Sequence, residues 1–140
     1  MAGKEELGPN HIKDYELGPM PKYGNYPQAL LDTFRVKSLL SPGSHLKTDD
    51  AHAGLLEIAP GTDYPAHVHA WPEAYFIIEG TADCTWGEDS FTAESGTMIY
   101  GPPHTSHAMR ITSEEPMLAL VFSWAPGGDR GVFTEDGRLI

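Results

Sequence analysis

The chain has 140 residues, enough for one domain that buries roughly 68–70% of its unfolded surface. Its formal net charge of −11 at pH 7 argues against nucleic acid and anionic membranes, both of which reward clustered Lys and Arg. Cys84 is the only cysteine, so no disulfide forms within the chain. The start, Met1-Ala-Gly-Lys-Glu-Glu, lacks the basic-then-apolar pattern of a secretory signal. No apolar run approaches the roughly 20 residues of a membrane span, and the expected location is the cytoplasm.

Residues 1–29 hold Pro9, Pro19, Pro21 and Pro27 with Gly8, Gly18 and Gly24, a composition that suppresses regular structure. Tyr15, Tyr23 and Tyr26 are more aromatic than a free tail needs, so this stretch reads as an extended arm lying on the domain or on a second subunit. From 30 to 128 short apolar stretches alternate with turn residues. Strands are expected at 34–40, 53–59, 64–69, 73–79, 81–86, 90–93, 96–100, 107–112 and 117–124, with a polar loop up to Asp50. The tail, 129–140, has little pattern. Many short strands at regular spacing, with no convincing helical period, predict an all-β sandwich or barrel. A small barrel encloses side chains or one ligand.

The chemistry concentrates between Gly61 and Gly80. His67 and His69 alternate with Val68, so on an extended chain both project from one side. Glu73 follows, and on a strand over 73–78 it shares a face with Tyr75 and Ile77. Imidazole nitrogens and a carboxylate oxygen are donors for a divalent transition metal, and His107 offers one more. A lone His-x-His is more often a pair of surface histidines. Asp49-Asp50 beside His52 reads as a solvated loop, and Glu114-Glu115 before Pro116 as surface. No Gly-x-Ser-x-Gly elbow, Gly-x-Gly-x-x-Gly turn or phosphate loop is present.

The pattern Gly61-x5-His67-x-His69-x3-Glu73-x6-Gly80 resembles the first motif of the cupin superfamily. Gly96-x5-Pro102-x-His104-x2-His107 resembles the second, with His104 in place of the usual turn glycine and Ile111 where asparagine is common. The resemblance implies a double-stranded β-helix (a jelly-roll barrel) with His67, His69, Glu73 and His107 on one metal ion. Fe, Mn, Ni, Co and Zn all suit that set. It also implies a homodimer paired through edge strands and the arm.

Tyr64-x2-His67-x-His69-x3-Glu73-x-Tyr75, and the run from His107 to Trp124, resemble the cupin-type dimethylsulfoniopropionate lyases. That resemblance implies Tyr75 as a base or metal-side tyrosine and Tyr64 as a pocket residue, acting on a small carboxylate. Tyr64 is out of phase with His67 on a regular strand, so only a bend at Pro65 brings both inward. Trp71, Trp86 and Trp124 are candidates for an aromatic face toward a sulfonium, with Trp71 expected at the pocket rim. His104 is a weaker candidate for a hydrogen bond behind the ligands. The rival readings are an Fe(II) dioxygenase on the same ligands and a metal- or ligand-binding module without turnover.

Overall fold

The computed structural model describes residues 15–19, 27–41, 46–134 and 138–139. Tyr23 and Tyr26 of the expected arm lie outside them. The strands are β1 (Gly18–Pro19), β2 (Arg35–Leu40), β3 (Ala51–Ile58), β4 (Asp63–Val68), β5 (Glu73–Glu79), β6 (Ala82–Trp86), β7 (Asp89–Ala93), β8 (Met98–Gly101), β9 (His107–Ile111), β10 (Met117–Trp124) and β11 (Arg138–Leu139). They form a six-stranded sheet, β1-β2-β3-β10-β5-β8, facing a five-stranded one, β11-β4-β9-β6-β7. All the strand pairings are antiparallel. This is the expected jelly-roll barrel of two facing antiparallel sheets.

Period-two alternation builds the core. In β5, Tyr75 and Ile77 are buried while Phe76 faces out, 40% exposed. In β6 and β9 the inward residues face one another across the ladder: Ala82 opposite Ile111, Cys84 opposite Met109, Trp86 opposite His107. Ile58, Ile77 and Met117 are fully buried, and such side chains each contribute about 1.5–3 kcal/mol. Gly80 makes the turn after β5 at φ +87°, where a Cβ would come 2.7 Å from the Met117 backbone, so no other residue fits without moving β10.

Four features that the sequence reading did not specify bear on the site. A four-residue helix, α1 (Gln28–Leu31), crosses the expected boundary between arm and barrel. It buries Leu30 and Leu31, and Leu30 joins the core cluster. In the stretch read as an arm, Gly18–Pro19 adds an edge pairing to β2, and Arg35 donates a hydrogen bond to the Leu17 carbonyl. Strand β3 starts at Ala51 rather than 53, which takes His52 out of the expected loop. The tail read as patternless forms a 3-10 turn (Arg130–Thr134) and then pairs Leu139 with His67 of β4. Among the described residues no helix is long and apolar enough to cross a membrane.

Candidate metal centre and its pocket

Strand β4 reaches the site through an irregularity. Tyr64 pairs with Met109 and His67 with His107, so β4 advances three residues where β9 advances two. The extra residue is a bulge, and Pro65, which has no N–H to offer a ladder, sits in it. The phase change lets Tyr64 and His67 both point inward, and both are buried. His69 follows just past β4, Glu73 opens β5, and His107 opens β9.

The three imidazoles present ligand atoms that all lie within 4.8 Å of one another, and all three rings are buried. Each ring is oriented from behind. His67 Nδ1–H donates to the Pro65 carbonyl at 2.7 Å, His69 Nδ1–H to Trp71 at 2.9 Å, and His107 Nδ1–H to Thr105 at 3.0 Å. A carbonyl only accepts, so each Nδ1 carries the proton and each Nε2 of a neutral ring turns a bare lone pair inward. Glu73 Oε1 stands 2.9 Å from His69 Nε2 and 2.9 Å from His107 Nε2. Yet His107 Nε2, fully enclosed, makes no hydrogen bond. Inward lone pairs around a carboxylate oxygen are a set of acceptors without a donor, and a shared cation satisfies all of them at once. The buried three-histidine group therefore fits a metal ion.

The electrostatics follow from burial and crowding. Burial, with His107 beside it, pushes His67 down to about 3. Burial alone would raise the Glu73 carboxyl, but His107 and His69, each 2.9 Å away, hold it well below the usual carboxylate range whenever either ring carries a proton on Nε2. The Tyr64 and Tyr75 hydroxyls lie 3.2 Å apart in a hydrogen bond. Burial and the Glu73 carboxylate push both phenols upward, so both stay protonated unless positive charge is added.

The other sequence candidates fall into two groups. Trp71 stacks flat on His69, with ring centroids 4.3 Å apart and planes 6° apart. Trp86 stacks behind His107 at 4.8 Å, and Gly101 makes room for its indole, since a Cβ there would come 2.8 Å from Nε1. Trp124 instead stacks on Tyr100, away from the pocket. His104 has an exposed side chain at φ +61°. It serves the site through its backbone, whose N–H donates to the His69 carbonyl at 2.9 Å.

Beside the histidines lies a cavity of about 210 Å³, below the roughly 300–1,000 Å³ of drug-sized sites, so it suits a small molecule. Leu30, Phe34, Val36, Leu56 and Val121 give it apolar walls, and Tyr64, Tyr75 and Glu73 face into it. Sequence reasoning missed three of its residues: His52, Ser123 and Phe133. Phe133 packs on His52 at 4.4 Å and on Trp71 at 5.9 Å. For His52 and Ser123 the signal lay only in cross-strand register. For Phe133 there was none.

The model of the cupin domain family matches residues 54–123. An uncharacterized protein of Streptomyces coelicolor is 27% identical over 96 residues, covering 66% of this chain and 91% of that protein. The dimethylsulfoniopropionate lyase DddQ of Ruegeria pomeroyi is 30% identical over 92 residues, covering 65% of this chain and 45% of the enzyme. Its crystal structure superposes with a TM-score of 0.64 at 25% identity, over 79% of this chain and 56% of that one. The chain thus spans about half the length of the lyase it resembles.

Proposed function

The chain belongs to the cupin family, and from that membership and the pocket's chemistry we propose a metal-dependent lyase that splits a small β-substituted carboxylate. The substrate class is dimethylsulfoniopropionate or a close analogue, and the products are an acrylate and a neutral sulfide. The observation that carries the proposal is the convergence of inward Nε2 lone pairs and Glu73 Oε1 beside a protonated tyrosine pair in a small cavity. The likeness to DddQ supports the choice of substrate.

His67, His69 and His107, with Glu73 as the fourth donor, would hold one divalent Fe, Mn, Ni, Co or Zn ion. When bound, that ion supplies positive charge that favours a phenolate and stabilises the enolate-like charge of the transition state. Tyr75 accepts the proton from the carbon next to the carboxylate. The C–H electron pair becomes the new C=C bond, and the C–S pair leaves on sulfur, which turns from sulfonium to neutral sulfide. Tyr64, 3.2 Å from Tyr75, donates a hydrogen bond to the phenolate and steadies it. Trp71 fixes the plane of His69, and the apolar walls keep bulk water from the reacting carbon. We take 30–128 as the barrel unit, in a cytoplasmic homodimer that light scattering would register at twice the chain mass.

The test is headspace detection of dimethyl sulfide from protein reconstituted with each metal, with and without oxygen. Sulfide formed equally in both atmospheres is expected. No sulfide with any metal removes the lyase, and sulfide or other turnover that requires oxygen points to a dioxygenase.

A further inference from the structure

Strands β3, β10 and β5 bring His52, Ser123 and Glu73 into one cross-strand row, since Ser123 pairs with both of the others. Cross-strand partners share a face, with Cβ atoms about 4.5–5.5 Å apart. That face is the pocket wall. Ser123 is 8% exposed, and its hydroxyl opens to the cavity without a hydrogen-bond partner among the described residues. His52 is half-buried at the pocket mouth, and its ring nitrogens are equally unpartnered. A serine hydroxyl that faces the cavity between His52 and Glu73 keeps its donor free for a ligand acceptor. Burial lowers the His52 pKa, which leaves a neutral ring with one N–H donor.

We propose that Ser123 and His52 form a subsite for a carboxylate oxygen of the substrate, next to the histidine centre and distinct from its ligands. A carboxylate has two oxygens. One would face the centre held by His67, His69 and His107, and the other would accept from Ser123, with His52 reaching the same group from the mouth. The two strands then set which way the acid lies relative to Tyr75. Phe133, packed on His52, shields the pair from bulk water. This inference rests on the reading of the pocket as a site for small acids, and it adds the residues that orient them.

Propionate, which carries the carboxylate but no leaving group, is the probe. Its affinity for zinc-loaded protein is measured by calorimetry for wild type, Ser123→Ala, Ser123→Thr and His52→Ala, with zinc content determined for each. Loss of a hydrogen bond to a charged group weakens binding about ten- to hundredfold. That loss is expected for Ser123→Ala at unchanged zinc content, with a smaller loss for His52→Ala. Ser123→Thr keeps the hydroxyl and should bind within a few-fold of wild type, which separates a lost donor from a damaged wall. Equal affinity in wild type and Ser123→Ala overturns the proposal, and so does a wild type that does not bind propionate. Absence of dimethyl sulfide with this affinity pattern intact would remove the lyase and leave the subsite. Dimethyl sulfide formation with flat affinities would do the reverse.

Discussion

The two ends of the barrel are built from the same strands and do opposite things. Along β5 the inward residues run from Glu73 and Tyr75 to Ile77, and along β9 from His107 through Met109 to Ile111. Strand β10 runs likewise, from Ser123 through Val121 to Ala119 and Met117. At one end the inward row is titratable and crowded, with a histidine pushed down to about 3 and an enclosed nitrogen that has no partner. At the other it is apolar and closed, with Ile77, Met117 and Ile111 almost wholly buried. The comparison teaches that the apolar end supplies the stability that lets the other end hold acceptors together without a donor. Each end can be broken separately.

The largest effect is expected at the histidines. His107→Ala should take bound metal from about one ion per chain to near zero, read by elemental analysis, and abolish turnover while the far end keeps the fold. Full metal occupancy in that variant would remove His107 from the centre. Next is Tyr75→Phe, which should retain the metal and lose about 10²–10⁴-fold in turnover, the usual contribution of a positioned base. Turnover within a few-fold of wild type would take Tyr75 out of the chemistry.

At the apolar end, Ile77→Ala should cost about 2–5 kcal/mol in denaturant unfolding and leave metal stoichiometry unchanged. Loss of metal with little loss of stability would mean that the two ends are not separable. The smallest effect is the pH dependence of the metal-free protein. Folded His67 binds its proton more weakly, at about 3, than its ordinary 6.5. The unfolded chain therefore takes up more protons as pH falls below about 6.5, and stability drops. One such proton gives at most about 1.4 kcal/mol per pH unit. Glu73, held below its ordinary 4.5, adds to the same slope only near and below that value. Urea midpoints at pH 7.5 and 5 should fall with pH, and His67→Ala should flatten the difference.

The same contrast governs what could be read in advance. The apolar end and the buried three-histidine group were legible because both rest on local spacing: alternation for the strands, and His67-x-His69 with His107 for the group. Strand β10 matched its expected span, and β5 its own. Tyr64 was half legible, since its phase conflict with His67 pointed to a bend and the bulge at Pro65 supplies it. His52 looked like part of an acidic loop because only pairing with β10 turns it inward. Ser123 was hidden in an apolar run for the same reason. Phe133 reaches the pocket by docking of a tail with no periodicity of its own. Residues placed by register or by docking leave no local mark.

The central claim is that one divalent ion is held where the three Nε2 atoms and Glu73 converge. Anomalous diffraction from crystals of metal-loaded protein tests it most directly. The account predicts one peak per chain, about 2.0–2.2 Å from Nε2 of His67, His69 and His107 and from a Glu73 oxygen. A chain with no peak there, or with its metal bound elsewhere, would contradict it.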